Sequence, residues 1–150
     1  MIDSMIYDGL WDPYNNQHMG LCAELCAKEK TFTRQEQDDF AIESFKRAQA
    51  AMKEGKFAAE IAAVEIPGRK GEVTRFAEDE GPMKAQFDKI PGLKPVFDKN
   101  GTVTAANAST INDGAAALVL TSAEKAKALG VKPLARIVSY AGNAQEPVWF

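Results

Sequence analysis

The sequence predicts an α/β chain in which a long surface excursion covers part of the fold. Three observations carry this reading. The second half alternates strand-like and helix-like patterns in the order strand, strand, helix, strand, which builds layered α/β architectures. The first half holds one long amphipathic helix with a complete start signal. Between them, from Pro67 to Asn100, the chain is charged, rich in Gly and Pro and nearly without periodicity. Excursions of that length are uncommon unless they bind something or cover a site.

Each element has a local reason. Up to Gly20, aromatic residues mix with Asp, Asn, Pro and Gly, which reads as loop. A short helix is expected over Leu21 to Lys28, with Leu21, Leu25 and Lys28 along one face. Thr33 and Glu36 form a capping box, in which hydroxyl and carboxylate satisfy each other's exposed amides. Ala41, Phe45, Ala48 and Met52 then recur at helical spacing, and Gly55 suits the C-terminal cap. Ile61 to Ile66 reads as a strand stopped by Pro67-Gly68. After the excursion, Thr102 to Ala106 and Ala115 to Leu120 read as strands, with Asn112-Asp113-Gly114 as a turn between them. Thr121 and Glu124 form a second capping box, opening a helix that Gly130 ends, and Leu134 to Tyr140 is a further strand.

Composition excludes several classes. A formal charge of -3 over 150 residues gives no general attraction to nucleic acid or to an anionic membrane. A phosphate-bearing ligand would need a local basic patch. No apolar run reaches the length of a membrane span, and no basic-then-apolar leader opens the chain. An intracellular location, cytoplasmic or mitochondrial, is therefore expected. Cys22 and Cys26 do not make a disulfide framework, which agrees with a reducing compartment. Met1 leads directly into patterned sequence and the chain stops at the apolar Val148-Trp149-Phe150, which suggests a piece of something longer.

Few residues carry chemistry on their own. His18, Cys22 and Cys26 lie at i, i+4 and i+8, and an early helix start would put them on one face. A metal set would still lack an evident fourth ligand, so the cysteines read as small core residues and His18 as a loop histidine donating a structural hydrogen bond. There is no P-loop, no G-x-G-x-x-G and no G-x-S-x-G. Lys84 and Lys89 alone read as solvated charges. One stretch is unusual: T-V-T-A-A-N-A-S-T-I-N-D-G-A-A-A-L-V-L, residues 102–120, starts and ends like buried strand but is nearly all small residues between. A core wants volume, so small residues here indicate that something must approach the backbone closely. These residues do not by themselves name a reaction.

Taken together, Y-D-G-L-W-D-P-Y-N-N-Q-H-M-G at 7–20, the stretch 102–120 and P-L-A-R-I-V-S-Y-A at 133–141 resemble the middle of a thiolase, in family order. The likeness is greatest to the acetoacetyl-CoA branch of that family. It covers essentially the whole chain, but less than half of a complete thiolase. It implies a thiolase-fold fragment, with residues 1–110 mainly loop domain, 111–130 the remainder of the N-terminal half and 131–150 the start of the C-terminal half.

The resemblance also implies a ligand. In thiolases the A-N-A-S segment lies along the pantetheine arm of coenzyme A, so Ala105, Ala106, Ala108 and Ser109 would be small because a narrow channel passes them. Leu10, His18 and Met19 would border the same channel. Lys84, Ala85, Gln86 and Lys89 would face the nucleotide end, where positive charge offsets the acidic chain. A branch of the family binds potassium through backbone carbonyls matching Ala105, Ala106 and Ala108. That branch adds a tyrosine oxygen where this chain has Phe45. The implied reaction is reversible condensation of two acetyl-CoA to acetoacetyl-CoA and CoA, by a dimer or tetramer. No catalytic residue falls in this chain, since the family's reactive cysteines and histidine belong to motifs outside it, and Cys22, Cys26 and His18 match none of them. Two other readings stand beside this one. The chain could be non-catalytic, acting only in CoA binding or subunit association, or its parent could prefer longer 3-ketoacyl-CoA substrates.

Overall fold

The computed structural model describes residues 2–149; Met1 and Phe150, the two ends of the expected fragment, lie outside the described residues. The first stretch is more ordered than a loop. A single π-helical turn spans Met5–Gly9, and a short hairpin follows, β1 (Trp11–Asp12) antiparallel to β2 (Gln17–His18). The turn between them is built by Asp12, whose carboxylate accepts from the Tyr14 and Asn15 amides at 3.0 and 3.3 Å and from Asn15 Nδ2 at 2.6 Å. Nothing in the sequence around Asp12 singles it out, because this local bonding exists only once the chain has turned.

The first helix, α1 (Met19–Glu29), starts two residues earlier than expected because His18 caps it. Its buried residues are Gly20, Cys22 and Ala27 rather than the face of Leu21 and Leu25. Leu21 is exposed and Leu25 half-buried. The second helix, α2 (Arg34–Lys53), carries both halves of the expected capping box, with Gly55 in the left-handed conformation just beyond it. Ala41 is buried and Phe45, Ala48 and Met52 are half-buried, as the helical spacing requires.

The excursion is partly structured. A second hairpin pairs β3 (Val64–Pro67) with β4 (Val73–Phe76), so the expected strand at 61–66 is displaced toward Pro67 and finds its partner inside the excursion. A short helix, α3 (Glu80–Met83), and a 3-10 turn over Phe87–Gly92 follow. Both pack on α2. Gln49 Nε2 donates to the Pro82 carbonyl at 2.7 Å, and the Phe45 and Phe87 rings lie 6.5 Å apart.

The three strands expected in the second half do not form among the described residues. Residues 102–106, 115–120 and 134–140 have no strand ladder, and from Thr110 to Thr121 every residue is exposed. A strand exists only through a ladder of hydrogen bonds to a neighbour; among the described residues 102–106 has a single such bond, from the Val96 amide to the Val103 carbonyl, and 115–120 and 134–140 have no ladder. Val119 and Tyr140 stand 96% and 95% exposed, apolar surface without a cover. The helix at the second capping signal does form, as α4 (Ala123–Ala128), but Ser122 caps it, accepting from the Lys125 amide at 3.1 Å. Thr121 is one residue too early. Gly130 lies in the left-handed region that ends the helix.

Candidate functional site

The small-residue segment is held in place from two sides. On one side stands Glu24 of α1. Its carboxylate accepts from the Thr102 amide at 2.8 Å, the Val103 amide at 2.8 Å and the Thr102 hydroxyl at 3.2 Å. Gly101 leaves room for it, since a Cβ there would overlap the Glu24 carboxylate. On the other side is Asn107, whose Oδ1 accepts from the Thr104 amide at 2.7 Å. Its Nδ2 donates to the Thr102 carbonyl and to Asp38 of α2, both at 3.0 Å. The Val96 amide donates to the Val103 carbonyl at 3.0 Å, and the Ala108 amide to the Thr104 carbonyl at 2.9 Å. Val103 and Thr104 are buried as a result.

The chain therefore leaves this anchor as a tight turn carrying Ala105, Ala106, Ala108 and Ser109. Ala105 and Ser109 are exposed, and Ala106 and Ala108 are half-buried. Neither Glu24 nor Asn107 stood out in the sequence as a supporting group. The only sign was a polar Asn inside a run of alanines. Among the described residues, the carbonyls of Ala105, Ala106 and Ala108 accept no hydrogen bond.

His18 and Met19 sit where the first hairpin becomes α1. His18 Nδ1 accepts from the Gly20 amide at 2.9 Å, so it acts as a helix cap rather than as the donor expected of a loop histidine. Its ring stacks on Phe97, centroids 4.8 Å apart. Gly20 permits this, because a Cβ there would run into the Phe97 ring. Leu10 joins them through its carbonyl, which accepts from the Met19 amide at 2.9 Å. Leu10, His18 and Met19 thus form one unit that Phe97 ties to the stretch leading into Val103.

Cys22 does not share a metal face with His18. It is buried, with Gln17 Nε2 at 3.4 Å from its sulfur and the Asp12 carboxylate at 3.9 Å, while the one ring nitrogen of His18 with a described partner faces the helix start. Hydrogen bonds hold the Asp12 carboxyl below its ordinary range, first that from the Asn15 side chain and then the Asn15 and Tyr14 amides, against the opposing pull of burial.

The lysines belong to the segments that pack on α2. Lys84 ends α3, lining a hollow of about 500 Å³ together with Arg75, Phe76, Met83 and the acids Glu78, Asp79 and Glu80. Its Nζ donates to Glu80 at 2.9 Å, so its charge is already partnered on an exposed surface. Ala85 and Gln86 lead into the 3-10 turn, which bears Lys89; the Lys89 amide donates to the Gln86 carbonyl at 3.0 Å. Phe45 turns its ring to Phe87 and offers no side-chain oxygen.

A family model described as the thiolase N-terminal domain matches residues 1–124. The acetyl-CoA acetyltransferase of Yarrowia lipolytica is 57% identical over 148 residues, covering 99% of this chain and 37% of its own length. A crystal structure of the Bacillus anthracis acetyl-CoA acetyltransferase superimposes with a TM-score of 0.92 at 41% identity, over 99% of this chain and 38% of that one. A thiolase from Ascaris suum, solved in complex with coenzyme A, superimposes with a TM-score of 0.88 at 45% identity, over 98% of this chain and 37% of that one. The chain thus spans a little over a third of the length of the relatives it matches.

Proposed function

Because the chain belongs to the thiolase family, we propose that it is the coenzyme-binding segment of an acyltransferase that condenses two acetyl-CoA to acetoacetyl-CoA and CoA, or runs the reverse thiolysis. The observation that carries this reading is the 57% identity to an acetyl-CoA acetyltransferase across 99% of the chain. The same identity favours acetoacetyl-CoA over longer 3-ketoacyl-CoA as the substrate. Residues 1–110 are assigned to the loop domain, 111–130 to the rest of the N-terminal half and 131–150 to the start of the C-terminal half. The working enzyme is a homo-oligomer, dimer or tetramer, in the cytoplasm or mitochondrion. No helix among the described residues is long and apolar enough to cross a membrane.

In this reading the pantetheine arm runs past Ala105, Ala106, Ala108 and Ser109 and is bordered by Leu10, His18 and Met19. What the chain supplies is position. Glu24 and Asn107 hold the backbone still, and small side chains let the ligand approach it. Lys84, Ala85, Gln86 and Lys89 meet the nucleotide end. Covalent chemistry needs a nucleophilic cysteine and a base, and Cys22, buried against Gln17 and Asp12, is not arranged as one. We propose equally that the chain by itself is inactive. A potassium ion fits in part: the carbonyls of Ala105, Ala106 and Ala108 would hold it, and Phe45 withholds one oxygen. Bound there, the ion would stiffen the same turn.

The test grafts this chain into the matching stretch of the full-length Yarrowia lipolytica enzyme and introduces Ser109→Trp. The indole fills the channel, and KM for CoA in thiolysis is expected to rise at least about tenfold with an unchanged circular dichroism spectrum. An unchanged KM in the folded variant refutes the channel assignment.

A further inference from the structure

One side chain links the two ends of the proposed site. Arg34, at the first position of α2, donates through Nε to Asp38 Oδ2 at 2.7 Å and through Nη2 to the Ile90 carbonyl at 3.0 Å. Asp38 Oδ1 in turn accepts from Asn107 Nδ2 at 3.0 Å, and Asn107 Oδ1 holds the Thr104 amide. Ile90 lies in the 3-10 turn that bears Lys89, and is 3% exposed. A continuous relay therefore runs from the lysine-bearing turn through Ile90, Arg34, Asp38 and Asn107 to Thr104, just before the small-residue turn.

We propose that Arg34 is a positioning residue that sets the distance between the nucleotide-facing turn and the pantetheine-facing turn, so that both contact one coenzyme at once. This rests on the coenzyme-site reading above. The chemistry selects arginine. Its planar guanidinium presents two N–H groups in a rigid fork, here to two acceptors that belong to different segments. A lysine could neutralise Asp38 but has no fixed second donor. The Asp38 side chain is 3% exposed against 25% for Arg34, so the ion pair is shielded and its geometry is held. Neither group touches the coenzyme in this scheme. Their effect appears only when both ends of the ligand are present.

That last property makes the proposal testable. In the graft described above, thiolysis is measured with CoA and with pantetheine, which lacks the nucleotide. The gain of CoA over pantetheine in KM reports simultaneous use of both ends. Arg34→Lys is expected to raise KM for CoA by about three- to tenfold, in the range of one charge-assisted hydrogen bond, leaving kcat within about twofold and KM for pantetheine nearly unchanged. Should that variant not fold, Arg34→Gln, which can hold Asp38 or Ile90 but not both, replaces it. An equal rise in KM for both thiols means that Arg34 is merely structural, and overturns the proposal. The double variant Lys84→Ala, Lys89→Ala separates the two levels. If it abolishes the gain while Arg34→Lys preserves it, the coupling alone is wrong. If it leaves the gain intact, the nucleotide-end assignment fails and the proposal falls with it.

Discussion

Asn107→Ala isolates the anchor of the small-residue turn. The substitution removes three hydrogen bonds, from the Thr104 amide at 2.7 Å and to Asp38 and the Thr102 carbonyl at 3.0 Å each. Thr104 is 0% exposed, so its amide loses its partner where water enters poorly. A neutral hydrogen bond contributes about 1 kcal/mol net, a bond to a charged group about 1.5–3, and an orphaned buried donor costs about 1–3. The terms overlap, and Asp38 keeps Arg34. The expected loss is about 3 kcal/mol, confined to this region. Native-state hydrogen exchange reads such a local opening directly. At about 1.4 kcal/mol per decade, the Thr104 and Ala108 amides should exchange about a hundredfold faster, while the amides inside α1 keep their rates. A change below about threefold at Thr104 and Ala108 would refute the claim that Asn107 holds the turn.

Asn107→Asp keeps the acceptor for Thr104 but sets a second carboxylate against Asp38 in place of a donor; the turn should open, read by the same exchange rates, and unchanged rates would contradict the contact. Gly101→Ala drives a Cβ into Glu24 and should release the Thr102 and Val103 amides, with up to about 3 kcal/mol lost; unchanged protection there would refute the clamp. Ser122→Ala should weaken α4 by about 1 kcal/mol while Thr121→Ala changes it by less than about 0.5, measured as local exchange; the reverse order would restore Thr121 as the cap. The Asp12 carboxyl is held low chiefly by Asn15, so its support of the hairpin is complete above the ordinary aspartate range and disappears as the pH falls through the lowered value. Asn15→Ala should move the Asp12 titration midpoint upward in carboxyl NMR shifts, and no movement would contradict the assignment.

What the sequence determined by itself was local. The Thr33–Glu36 box, the half-buried stripe of α2 and the terminal glycines Gly55 and Gly130 are all present, because caps and helical periodicity act within a few residues of chain. Family motifs were legible for a different reason: they are runs of contiguous residues, and 7–20, 102–120 and 133–141 each lie within a chain that matches its relatives almost end to end. Tertiary structure decided the rest. Strands at 102–106, 115–120 and 134–140 had the right composition, but a ladder needs a neighbouring strand, and none pairs with them among the described residues. Glu24, Asn107 and Arg34 looked like ordinary polar residues. Their partners lie 78, 69 and 56 positions away, and no window of sequence brings together groups that only the packing of α1, α2 and the returning chain puts within hydrogen-bond distance.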